Sequence, residues 1–117
     1  MGDGGLVIPG TVPTGATVQL TTTNPDDMLD ATHDAVERAR AAYPGTGDPS
    51  AALIFSCAVR KYLLGTRTAR EVETAQELLP ASMAIAGMYC LGEVAPTGAE
   101  RNSHFLNETF VTLLLGS

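Results

Sequence analysis

Three hydrophobic patterns in this chain predict most of its secondary structure. The apolar runs at residues 51–56 and 82–90 are bounded by turn residues, which indicates two buried strands that are adjacent or near-adjacent in the centre of a sheet. Residues Val18 to Thr22 alternate in polarity and include β-branched side chains, so they also predict a strand. We expect one more short strand around Leu6 to Ile8, and a final strand in the stretch FLNETFVTLLLG.

The third pattern, a period of 3.6 residues, predicts a helix from Pro25 to Tyr43. Asn24 can cap this helix, and Pro25 suits its first position. We expect the helix to pack on the sheet through an alanine-rich stripe. That stripe comprises Met28, Ala31, Ala35, Ala39 and Ala42, and it is joined by Leu29, Val36 and Tyr43.

Two shorter helices are expected between the buried strands. The first runs from Cys57 to Leu64, and the second begins with a capping box formed by Thr68 and Glu71. Its inward positions are expected to be Val72, Ala75, Leu78 and Leu79. The predicted fold is α/β (mixed α+β), with a single mixed β-sheet and helices packed on it, in the order β-β-α-β-α-α-β-β-β. The last strands are expected to pair antiparallel, and residues 1–117 to form a single domain.

Composition restricts the function classes. The 117 residues carry a formal net charge of −6 with seven scattered cations, so there is no basic stripe for nucleic acid. We find no apolar run of membrane-spanning length and no signal peptide pattern. With two cysteines a disulfide framework is not expected, and we expect a cytoplasmic, reduced setting.

Candidate chemistry gathers where the first buried strand meets a helix. Ser56 and Cys57 precede Arg60, so free N–H groups and a guanidinium could hold an anion there. Alternatively, Cys57 is a small buried residue and Arg60 pairs with an acid such as Glu93. Gly92 and Glu93 allow a similar choice between a ligand contact and a turn with a structural carboxylate.

The remaining candidates give weaker signals. His33 lies on the polar face of the first predicted helix, and His104 lies in a polar stretch where it could ligate iron or take a proton. A cysteine nucleophile, Cys57, would need His104 as its base. Cys57, Cys90 and His104 lack the spacing of a zinc site.

Three stretches, SAALIFSCAVRKYLLG, AIAGMYCLGEVAP and FLNETFVTLLL, resemble the C-terminal half of the FIST sensory domain. The resemblance lies in an apolar strand ending in Ser-Cys with an Arg three residues on, then Gly, an aromatic residue and Gly-Glu, then Asn-x-Thr. The matching positions are Ser56, Cys57, Arg60, Gly87, Tyr89, Gly92, Glu93, Asn107 and Thr109.

The resemblance implies a small-ligand-binding sensory domain of a bacterial signal transduction protein, with amino acids as suggested ligands and no catalytic or metal-binding residues. The implied ligand contacts are Ser56, Cys57, Arg60, Tyr89, Gly92, Glu93 and Asn107. Arg60 and Glu93 are expected to be the polar contacts or a lock beneath them. No resident cofactor is expected, although some family members bind haem and sense nitric oxide. A cysteine-dependent enzyme using Cys57 is the other alternative.

The resemblance also implies partners. The expected ones are an N-terminal FIST half, which this sequence lacks, or a signalling output domain. If that half normally covers part of the surface, an apolar patch or a sheet edge stays open, and the chain is expected to form a homodimer or larger homo-oligomer.

Overall fold

The computed structural model describes residues 4–8, 10–97 and 102–117. The helices are α1 (Pro25–Ala42), α2 (Ala58–Leu64) and α3 (Thr68–Leu78), with a 3-10 turn at Gly65–Arg67 between the last two. The strands are β1 (Ala51–Cys57), β2 (Ala84–Cys90), β3 (Glu93–Thr97), β4 (Asn102–Leu106) and β5 (Phe110–Leu115). The mixed α/β class is confirmed, and from Pro25 to Cys90 the elements follow the predicted order.

The strands form two sheets. β1 lies in the middle of a three-stranded sheet of order β2-β1-β5, parallel to β2 and antiparallel to β5. The two apolar runs are therefore adjacent, as expected. However, β2 lies at the edge of this sheet and its residues are exposed or only partly buried, so the expectation that it would be a buried central strand is wrong. β3 and β4 form a separate antiparallel hairpin, so the expectation of one single sheet is corrected. The chain leaves β2 through Gly92, whose φ of 106° is favourable for glycine and turns β3 away from the first sheet.

The two strands expected before the first helix are not formed. All described residues from 4 to 24 are exposed and lie outside any strand. A β-branched, alternating segment needs a neighbouring strand to pair with, and sequence alternation cannot supply one. The final apolar run also differs from expectation, because a turn containing Glu108 at φ 59° divides it between β4 and β5.

The core lies between the helices and one face of the three-stranded sheet. Its members are Val36, Ala52, Ile54, Ala75, Leu79, Met83 and Phe110. Helix α1 contributes Met28, Thr32 and Val36 as its buried residues, so Met28 and Val36 are buried as expected, whereas Thr32 was not expected on the inward face. Ala35 is partly buried against the core, whereas Ala31 and Ala42 are exposed.

The opposite face of the same sheet has no helix on it in the described part of the chain. Burial alternates along β1, with Ala52, Ile54 and Ser56 buried and the residues between them only partly so. β1 is therefore buried on its helix-covered face and mostly only partly buried on the other. Side chains of neighbouring strands extend this apolar face, such as Met88 opposite Phe55, and Met88 is 62% exposed.

Candidate functional site

Arg60 lies at the centre of a buried hydrogen-bond network. Its Nε donates to Glu71 Oε1 at 2.7 Å, and its Nη2 donates to the carbonyl of Met28 at 2.8 Å and to Thr32 Oγ1 at 2.7 Å. Nη1 reaches the carbonyl of Glu108 at 3.4 Å. The residue is only 3% exposed. A single side chain on α2 thus joins α1, α3 and the turn before β5.

Glu71 is the counter-ion of Arg60 and is fully buried. Its second oxygen accepts from Ser56 Oγ at 2.9 Å and from the Tyr89 hydroxyl at 3.3 Å. Burial first, and then the negative charge of Glu71, raise the pKa of Tyr89 above its ordinary value. Ser56, Arg60 and Tyr89, three of the predicted site residues, are therefore brought together around a carboxylate that the prediction did not include.

The guanidinium of Arg60 is almost saturated. A guanidinium has five N–H donors, and protein groups accept from four of them here. Phe110 adds its ring, whose centroid lies 5.8 Å from the guanidinium carbon. This geometry suits a residue that holds neighbouring elements together better than a residue that binds a ligand carboxylate.

Glu93 belongs to a second buried group. It is 3% exposed, and its oxygens accept from Thr109 Oγ1 at 2.8 Å and from the Cys90 thiol at 3.1 Å. Burial, followed by the hydrogen bond and the charge of Glu93, raises the pKa of Cys90 from about 9 to about 11. The thiol therefore stays protonated at neutral pH and acts as a hydrogen-bond donor.

The two groups lie on opposite faces of the sheet. Successive side chains of a strand point to opposite sides, so Ser56 and Tyr89 share the helix-covered face, while their neighbours Cys57 and Cys90 share the other. Glu93 accepts a hydrogen bond from Cys90 on the second face. Arg60 bonds to Glu71, which accepts from Ser56 and Tyr89 on the helix-covered face. The hypothesis that Arg60 and Glu93 form one shared site is thus wrong, and Glu71 is the acid that holds Arg60.

The remaining predicted contacts lie at turns. Gly92 precedes Glu93, and its φ of 106° favours glycine there, while the exposed Phe105 ring, 2.6 Å from the position of an added Cβ, would have to move aside. Asn107 is exposed in the turn between β4 and β5, one residue before the carbonyl that Arg60 reaches. Whether any of these side chains contacts a ligand stays a prediction.

A scan against protein-family models matches residues 1–96 to the family described as FIST C domain. The match covers more than half of the chain. The chain belongs to the FIST C domain family. FIST C domains are sensory domains of signal transduction proteins, and such domains pair with an N-terminal FIST half or with signalling domains. Searches of curated proteins and of solved structures each found no match.

Two polar residues of this FIST C domain are buried although the sequence did not predict it. Glu71 was assigned to a capping box and Thr32 was given no role, yet both are fully buried. Glu71, Ala75 and Leu79 repeat at intervals of four, which is the spacing of one helix face. That face could have been recognised if an acidic residue had been allowed to point inward. Val72, expected to point inward, is instead exposed.

Other expected chemistry receives little support from the geometry of the FIST C domain. Cys57 is buried, and His104 is exposed on β4 opposite Ala95. Within the described residues there is no cluster of three or more His, Cys, Asp or Glu that could hold a metal ion. None of the helices in the described ranges has the length and apolarity needed to cross a membrane.

Proposed function

We propose that this FIST C domain is a sensory module that binds a small ligand carrying a protonated amine, with amino acids as the leading class, and that Glu93 receives the amine. The proposal rests on the surroundings of the Glu93 carboxylate. It is buried, and its two hydrogen-bond donors, Cys90 and Thr109, are both neutral.

A buried carboxylate is normally stabilised by a cation, because removing a charge from water is costly unless an opposite charge compensates it. Glu71 follows this rule through Arg60. Glu93 does not, since no cationic side chain in the described part of the chain pairs with it. Two neutral donors also leave acceptor capacity on its oxygens, because a carboxylate offers about four lone-pair sites. An ammonium group would provide the compensating charge.

The position suits a ligand. Cys90 and Cys57 end two adjacent parallel strands, and Glu93 follows directly after the β2–β3 turn. In open α/β sheets, ligands favour the carboxyl ends of the strands. Cys90 is only partly buried, which gives access beside the thiol.

The Arg60 network has a supporting role in this proposal. It holds the turn before β5 through the Glu108 carbonyl, and Thr109, the next residue, donates to Glu93. A ligand that moves Thr109 would therefore also displace the Arg60 network and, through its hydrogen bonds, the three helices attached to it. This connection offers a route from the ligand to a neighbouring signalling domain.

The test is a thermal-shift screen of the amino acids and simple amines on the wild-type chain, followed by calorimetric titration of each hit. Glu93→Gln is the decisive variant, because it removes the charge and keeps an acceptor oxygen for Thr109, while its amide nitrogen would take the place of the oxygen that faces the Cys90 thiol. We expect a hit to raise the melting temperature of the wild type and to lose most of its effect on Glu93→Gln. Compounds that bear a carboxylate but no amine should have no effect on either protein.

Glu73→Gln is the matched control, because Glu73 pairs with Arg70 on the exposed side of α3 and lies far from this carboxylate in the chain. It should bind every hit as the wild type does. A hit that binds Glu93→Gln unchanged would refute the role of Glu93. A screen in which no amine stabilises the wild type would refute the amine class.

A further inference from the structure

An uncharged, exposed segment precedes α1, and we call residues 10–23 the arm. Residues 4 to 23 contain no Asp, Glu, Lys, Arg or His, although the chain as a whole is acidic. Every residue of the arm is exposed, including Val18 and Leu20, which are 57% and 82% exposed. Solvated segments are usually rich in charge, and exposed apolar side chains in such number indicate a contact surface.

A groove lies on the same molecule, and we call it the edge groove. It runs between α1, the outer edge of β5 and the β3–β4 hairpin, and its volume is about 830 Å³. Its α1 wall includes Ala35 and Ala39, whose small side chains leave room for another backbone. Its other wall includes Thr112 and Leu114 of β5.

The β5 edge of this groove is open for pairing. β5 is an end strand of its sheet and bonds only to β1. Cys57 donates to the carbonyl of Thr109, and in an antiparallel ladder every second residue bonds to the same neighbour. The backbone groups of Phe110, Thr112 and Leu114 therefore point away from β1, towards the groove. An open edge of this kind is a template for an added strand.

The walls of the edge groove also lack hydrogen-bond partners. The Thr112 hydroxyl and the Tyr43 hydroxyl are both buried without a partner in the described part of the chain. Both residues line the groove. Because both hydroxyls are already buried, an occupant would have to displace neighbouring groups to reach them, and the open backbone edge of β5 is the main hydrogen-bonding surface of the groove.

We propose that the arm of a second copy of this chain adds to the edge of β5 as a fourth strand, so that two copies exchange arms in a symmetric dimer. Residues 16–22 form the strand. At about 3.3 Å per residue its seven residues span roughly 23 Å, close to the roughly 20 Å of the six-residue β5. Alternation places Val18 and Leu20 on one side, against the alanines of α1, and leaves Thr17 and Thr21 on the other.

A second copy is the occupant that matches the conformation of the arm. In the structure the arm is extended and exposed and does not occupy the groove of its own molecule. Its backbone groups supply hydrogen bonds to the outer edge of β5, which pairs with no other strand in the described part of the chain. Reciprocal exchange closes the assembly at two copies, because the same arm and groove are used on each side.

The test is sedimentation velocity of the full chain across low micromolar to submillimolar concentrations. We expect the wild type to dimerise. The combined variant Val18→Asp with Leu20→Asp should be monomeric, with a dissociation constant raised by about a hundredfold or more, because both charges would be buried in the dimer. The combined control Thr17→Asp with Thr21→Asp adds the same charge to the other side of the strand and should remain dimeric.

The groove is tested separately with Ala39→Arg, which should fill it and also give a monomer. Its control is Ala41→Arg, an exposed position on the same helix outside the groove. Circular dichroism must show unchanged helix content in all four variants. A wild type that stays monomeric refutes the proposal. If in addition the arm variant lowers the melting temperature of that monomer, the arm folds into the groove of its own molecule instead. A dimer that survives either the arm variant or the groove variant also refutes it.

Discussion

Replacing Arg60 by methionine gives the sharpest test of the buried network. The new side chain would keep the length of an aliphatic stem and lose every donor. Glu71 would then remain as a charge without a counter-ion at a position with no exposed surface. The carbonyl of Met28 and the hydroxyl of Thr32 would lose bonds of 2.8 Å and 2.7 Å respectively.

The expected cost follows from these losses. Removing one partner of a buried ion pair typically costs about 3–5 kcal/mol, because the other charge is left unpaired. A domain of this size has a free energy of unfolding of about 5–15 kcal/mol, so the loss would be a large share of it. Urea denaturation followed by circular dichroism at neutral pH measures this difference directly.

A control and a second variant test whether the unpaired charge of Glu71 causes the loss of stability. Arg67→Met removes the exposed pair between Arg67 and Asp26, which is equally short at 2.7 Å, and should cost at most about 1 kcal/mol. Adding Glu71→Leu to Arg60→Met removes the unpaired charge and should restore more than half of the lost stability. If Arg60→Met costs no more than Arg67→Met, or if Glu71→Leu makes it worse, the Arg60–Glu71 pair does not stabilise the fold as argued.

Two further predictions concern β2. Gly87→Ala should lower the free energy of unfolding by about 1–3 kcal/mol, because the added Cβ would overlap the carbonyl oxygen of Ile54 on the neighbouring strand. Ala86→Ser, at an exposed position on the same strand, should change the free energy of unfolding little. Equal urea midpoints for the two variants would contradict this explanation. The raised pKa of Cys90 makes the fold depend on pH: the unfolded thiol loses its proton near pH 9 while the folded one keeps it to about pH 11, so stability should fall as pH rises through that interval. The decline should be shallower in Cys90→Ser, measured by urea denaturation between about pH 8 and pH 11, and identical slopes would show that the thiol does not contribute.

The sequence determined those elements whose signals are local. Asn24 was expected to cap α1, and its side chain accepts from the backbone N–H groups of Asp26 and Asp27. The apolar runs that became β1 and β2 were identified as strands because both are bounded by turn residues, but β1 has buried residues and β2 has none, since an apolar run does not show whether another element covers it. The structure brings Ser56 and Tyr89, two positions named through the resemblance to the FIST C domain, close to Arg60 around Glu71.

Only the tertiary structure decided which polar groups are partners and which strands have neighbours. Arg60 could have paired with several acids, and the choice of Glu71 over Glu93 follows from which face of the sheet each carboxylate reaches. Val18 to Thr22 has the composition of a strand and forms none, since a strand exists only where another supplies its hydrogen bonds. Local sequence specifies what a segment can form, whereas long-range packing specifies which of its polar groups are satisfied.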